Sequence, residues 1–159
     1  MDIYTSRFNS PNELDYFMSD FEYTEFTTLM SPAEVYATKS GSCHDMVMFE
    51  YDELSRQGLT PICKFLIAVG DNGIGGETHS FLYYTETNSV FWFECAWEDY
   101  AGILSFDTES ELLSFVIDAF RYRNPNETIY LGDFIPEEHN VGEDLQTLVD
   151  ICMDNAIEV

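Results

Sequence analysis

A cysteine that follows Gly41-Ser42 and opens a helix is placed for nucleophilic chemistry. Unpaired backbone N–H groups and the positive end of the helix dipole stabilise a thiolate at such a start. The same N–H groups can hold an oxyanion. Cys43 stands at that position, although a cysteine in a reducing compartment is most often a small buried hydrophobe. Two further residues give it a chemical context. His79 lies in an apolar strand-like run, and Glu94 closes Phe91-Trp92-Phe93-Glu94. A carboxylate buried among aromatics is costly to desolvate without a partner. Facing an imidazole, it holds the ring tautomer and stabilises the imidazolium formed when a thiol gives up its proton. The expected catalytic set is Cys43 as nucleophile, His79 as base and then acid, and Glu94 as the group that orients His79.

The elements that must position these side chains are legible in punctuation and periodicity. Ser10-Pro11 opens a first helix to about Asp20, and Ser31-Pro32-Ala33-Glu34 is a capping-box start for a short second one. The third helix runs from about Cys43 to Gly58, with Pro61 beyond, and Cys43, Val47, Tyr51 and Leu54 mark its buried face. Ile62 to Val69 reads as a strand covered on both faces. Gly70 to Gly76 reads as a mobile loop, followed by strands over Thr78–Tyr84 and Val90–Ala96 around a polar turn at Glu86-Thr87-Asn88. Thr108 with Glu111 caps a helix to about Arg123; a strand Thr128–Ile135 and a helix from about Gly142 follow. The order predicts an α+β fold. Reversing the hairpin about the Glu86–Thr87 bond would set His79 directly opposite Glu94, Phe81 opposite Trp92 and Tyr83 opposite Val90. Both faces of such a hairpin are apolar, and a one-residue slip would break the His–Glu pairing.

The composition describes one domain of 159 residues, 45% of them apolar, which is enough to fold despite the charge. No leader-like segment is read, and no run approaches the roughly 20 apolar residues of a membrane span. Cys43, Cys63, Cys95 and Cys152 form no CxxC pair, which argues against a disulfide framework or structural zinc and for a cytoplasmic setting. No cofactor or metal is expected: Asp71-Asn72-Gly73 begins like a calcium loop but lacks the later ligands. Thirty acidic against six basic residues give a net charge of −24, spread along the chain. Such a field repels nucleic acid and anionic membranes and favours basic protein or peptide partners.

Other residues read as structural. As the helical neighbour of Cys43, His44 points about 100° away from it, against a direct role. Cys95 follows Glu94 and faces the opposite side of its strand, while Cys63 and Cys152 fit buried positions. His139 lies in an acidic loop and reads as exposed to solvent. A second oxyanion donor is left open, with Tyr36 and Lys39 as upstream candidates.

The stretch Lys39-Ser40-Gly41-Ser42-Cys43-His44-Asp45 resembles the Gly-x-Cys-x-Asp signature of the transglutaminase-like superfamily. Gly58-Leu59-Thr60-Pro61 is similar to the segment that ends the nucleophile helix there. Thr78-His79-Ser80 and Trp92-Phe93-Glu94 resemble the strands carrying its histidine and acid, and the resemblance spans about residues 32–103. It implies a papain-like fold, with the nucleophile helix packed on an antiparallel sheet, and acyl-thioester chemistry on amides. Glu94 stands where that family usually has Asp, which sets the imidazole slightly further from the acid's backbone. His44 stands where an aromatic is common. A rival expectation is a catalytically inert binding protein on this fold, engaging a basic or DNA-binding protein through its acidic surface.

Overall fold

The computed structural model describes residues 7–159. Helix α1 (Pro11–Met18) starts on Ser10, whose hydroxyl accepts from the Glu13 amide. A two-residue strand β1 (Glu22–Tyr23) precedes α2 (Pro32–Thr38), which has a complete capping box between Ser31 and Glu34. Strand β2 (Ser40–Gly41) pairs parallel with β1 and leads through Ser42 into α3 (Cys43–Arg56). Helix α3 ends on Gly58 at φ +90°, where the amides of Gly58 and Leu59 return to the carbonyls of Ser55 and Leu54. That closure needs the left-handed backbone that glycine adopts without strain.

The rest of the chain builds a six-stranded sheet from β3 (Ile62–Val69), β4 (Gly75–Glu86), β5 (Ser89–Glu94), β6 (Gly102–Phe106), β7 (Thr128–Asp133) and β8 (Ile157–Glu158). Its order is β6-β5-β4-β3-β7-β8, and every ladder is antiparallel. Helix α4 (Glu109–Arg123) lies between β6 and β7 in the chain, and α5 (Leu145–Met153) between β7 and β8. The fold is α+β, as its element order predicts.

Alternation along the central strands divides the interior in two. Phe65, Ile67, Leu82, Tyr84 and Phe93 face the side covered by α1, α2, α3 and α5. Leu66, Phe81, Tyr83 and Trp92 face the side covered by Leu112, Val116 and Phe120 of α4. Burying each large side chain contributes roughly 1.5–3 kcal/mol, so both layers hold the sheet between them. Around α3 burial is wider than one stripe: His44, Asp45, Met46, Phe49, Glu50 and Glu53 are buried along with Cys43, Val47 and Leu54.

Three sequence expectations are corrected. Gly70–Gly73 is a hydrogen-bonded turn rather than a long loop, because β4 begins at Gly75. Asn72 supplies its side-chain oxygen to the Ile74 amide there, which accounts for the Asp-Asn-Gly run. The hairpin reverses about Thr87-Asn88, both left-handed at φ +53° and +64°. Its register pairs Leu82 with Phe93 and Tyr83 with Trp92, two residues away from the expected pairing. Two is the side-chain period of a strand, so each residue keeps its face while its partner changes. No described helix is long and apolar enough to cross a membrane.

Candidate active site

The site begins with the turn that aims Cys43. Ser42 caps α3, its hydroxyl accepting from the Asp45 amide, while the Asp45 Oδ2 accepts from the Ser42 amide and hydroxyl at 2.9 Å each. The other oxygen, Oδ1, accepts from the Met30 amide at 2.8 Å and ties the helix start to the preceding loop. A Cβ at Gly41 would stand 2.9 Å from the Asp45 Cβ, so the folded-back carboxylate requires glycine there. The spacing Gly-x-Cys-x-Asp thus has a local physical basis. With the amides of Asp45 and Met46 satisfied by Ser42, those of Cys43 and His44 are left for an acceptor outside the helix.

His79 stands on β4, paired with Leu66 of β3. On its other side the β4–β5 ladder has already ended at Leu82–Phe93, which opens the sheet beside His79. The chain leaving β5 fills part of that gap and lays the Trp97 ring on the imidazole, centroids 3.9 Å apart and planes within 8°. Trp97 in turn stacks on Phe120 of α4. The imidazole is therefore held by packing as well as by hydrogen bonds.

Glu94 reaches His79 diagonally, not from directly across. Continuing the observed register sets Glu94 across from Phe81, two residues further along β4 and on the same face. Diagonal neighbours are about 7–8 Å apart at the backbone, a span the longer glutamate side chain covers. Its Oε1 lies 2.7 Å from His79 Nε2, and Oε2 accepts from the amides of Ala96 and Trp97 at 2.8 and 3.2 Å. With Nε2 engaged, Nδ1 is the nitrogen left for the thiol, and Cys43 and His79 line the same cleft and act on each other electrostatically.

The charges of this group are strongly perturbed. Burial pushes the Cys43 thiol up, but the charge and hydrogen bonding of His44 and His79 outweigh it and bring the thiol down from 9.0 to about 5. Burial likewise pushes His79 down, yet the Glu94 carboxylate and Cys43 raise it from 6.5 to about 9. At neutral pH the two therefore form a thiolate–imidazolium pair. Glu50, two turns along α3, is pushed well above the usual carboxylate range by burial and then by the charge of Glu94.

Cys43 lines a cleft of about 390 Å³ together with Tyr23, Glu77, Trp97, Glu98, Asp99 and Tyr100 among others. Tyr23 had no signal in the sequence. It arrives through the β1–β2 pairing, where it stands across from Gly41, and it lines the same cleft as Cys43. Burial, then the charges of Cys43 and Glu77, push its phenol up to about 12, so it remains a donor.

Tyr36 and Lys39 belong elsewhere: Tyr36 stacks on Phe17 beneath the Arg7 guanidinium, and Lys39 lies over the Phe17 ring. His44 is buried with its ring nitrogens 2.6 and 3.0 Å from the hydroxyls of Ser80 and Thr78, and it still acts on the thiol electrostatically. His139 is buried, not exposed. Its Nδ1 lies 2.6 Å from Glu143 and its Nε2 3.7 Å from Cys152, a closed polar group whose thiol burial pushes up to about 12. Cys63 and Cys152 are buried, and all four cysteines are free thiols. No group of described residues has the arrangement of a metal site. No protein-family model matches the chain, and no curated protein matches it.

Proposed function

We propose that this protein is a cysteine-dependent amide hydrolase or acyl transferase of papain-like, transglutaminase-like fold, acting on protein or peptide substrates in the cytoplasm. The observation that carries the reading is the His79 ring, held between a lowered thiol and a carboxylate fixed by two backbone amides. In the first step the Cys43 thiolate attacks the amide carbonyl carbon. The oxyanion that forms is met by the amides of Cys43 and His44 and the Tyr23 phenol. His79 gives its proton to the departing amine as the C–N bond breaks, leaving an acyl-thioester on Cys43. Neutral again, His79 takes a proton from water or an acceptor amine, whose attack releases the acyl group and regenerates the thiolate. Glu94 keeps Nδ1 facing the sulfur throughout.

The four unpaired cysteines and the −24 charge favour a reducing compartment and basic partners. An activated ester tests the chemistry without knowledge of the natural substrate. p-Nitrophenyl acetate at pH 7 should give a burst of one nitrophenol per chain and an acetyl group on Cys43, both absent in Cys43→Ser and strongly reduced in His79→Ala. Equal nitrophenol release by wild type and Cys43→Ser would overturn the enzyme reading and favour the inert acidic binder.

A further inference from the structure

The walls of the cleft carry information about what enters it. Glu77 and Arg123 occupy one side and satisfy each other, with the guanidinium Nη2 2.7 Å from Glu77 Oε1. The Arg123 guanidinium also lies 5.4 Å over the Trp97 ring, and beyond Trp97 the 3₁₀ turn Glu98–Tyr100 lines the cleft with Glu98 and Asp99 exposed and in no ion pair among the described residues. A second cavity of about 590 Å³ adjoins the first, lined by Asp15, Met18 and Phe21. Both cavities share Tyr23, Ala96 and Glu98, which places Glu98 on the wall between them. The Glu77–Arg123 pair has no net charge, and Glu94 leaves the Cys43–His79–Glu94 group with a single negative charge, so the exposed carboxylates of Glu98 and Asp99 add to a groove that is already negative. These carboxylates do not define the site; the thiol and imidazole do.

We propose that Glu98 is a specificity-determining residue that selects substrates carrying a lysine or arginine side chain beside the amide attacked by Cys43. The inference rests on the reading of Cys43 as the nucleophile. A cationic side chain lying along the groove keeps its ammonium or guanidinium in water beside Glu98 while its stem covers apolar wall. Local placement distinguishes this from the overall charge of the molecule. Charges further away than about 8 Å are screened at physiological salt, whereas Glu98 lines the same cleft as the sulfur.

Two thiol reagents of the same frame and opposite charge test it: trimethylammonioethyl and sulfonatoethyl methanethiosulfonate. Each forms a mixed disulfide as the Cys43 thiolate displaces methanesulfinate, and the rate is followed at Cys43 by peptide mass spectrometry. The cationic reagent should react at least about tenfold faster in the wild type. Glu98→Gln should lower that ratio, and Glu98→Lys should lower it by about tenfold or more. Glu86→Lys, the same charge reversal at the far end of β4, should leave it near the wild-type value. A ratio that falls equally in Glu86→Lys and Glu98→Lys would assign the preference to net charge and overturn the role of Glu98. An unchanged ratio in Glu98→Lys with a reactive Cys43 would do the same. A Cys43 that reacts with neither reagent would instead overturn the nucleophile on which the inference rests.

Discussion

Replacing Glu94 with glutamine puts the site's logic at risk with a single atom. In the wild type, Oε2 accepts from the amides of Ala96 and Trp97, and Oε1 faces His79 Nε2. A glutamine must keep its one oxygen on those two buried amides, because turning it would set N–H against N–H. Its NH₂ then donates to Nε2, which forces the neutral ring to carry its proton on Nδ1, toward Cys43. That tautomer cannot take the thiol proton. Loss of an opposite charge at this range moves a pKa by about 1–3 units. The imidazolium of His79 is thereby disfavoured, while His44 remains. The Cys43 midpoint should therefore rise from about 5 to about 6–8. The assay is the pH dependence of iodoacetamide alkylation at Cys43, not its rate at one pH. A thiolate gains about 0.4–0.5 log unit of intrinsic reactivity per unit of pKa, which at least offsets the lost thiolate fraction at neutral pH. Acyl transfer should fall much further, since a comparable carboxylate-to-amide change in a serine triad lowers kcat by about 10⁴. Stability should drop by only about 1.5–3 kcal/mol, the worth of one charge-assisted hydrogen bond. A midpoint still near 5 with unchanged turnover would refute the orienting role of Glu94.

Turnover of a peptide anilide should be bell-shaped in pH. The lower limb lies near 5, where the depressed Cys43 thiolate is protonated as pH falls, and the upper near 9, where the raised His79 loses the proton the leaving amine needs; a single-limbed profile would contradict the ion pair. Asp45→Ala leaves the amides of Met30 and Ser42 without their acceptor and should cost about 2–4 kcal/mol in urea unfolding. Cys43 alkylation should lose its low midpoint in the same variant as the helix start loosens. Thr87→Asn should stabilise by about 0.5–1 kcal/mol, because a β-branched residue is strained at φ +53° and asparagine is not; no gain in the urea midpoint would count against the turn.

The sequence carried local information well wherever one residue decides one backbone state. Ser31 with Glu34 and Gly58 each act within a few residues, and the helix boundaries they mark agree with the structure. Strand faces were equally legible, because alternation survives any even shift of register. That is why His79 and Glu94 meet although their pairing was misplaced by two residues. The turn itself was obscured because Thr87 carries no turn signal, and its left-handed backbone is imposed by the hairpin around it.

What the chain by itself determined, then, is the nucleophile turn, the shared face of His79 and Glu94, and the acidity that surrounds them. Tertiary structure decided the rest. Tyr23 lines the Cys43 cleft only because β1 pairs with β2, and Trp97 covers His79 only because β5 leaves the sheet at Glu94. Burial turned His139 from a loop residue into a closed partner of Glu143 and Cys152. The physical reason is the same in each case. Caps, turns and faces depend on neighbours a few bonds away, whereas a cleft and the pKa values inside it depend on which distant surfaces exclude water together.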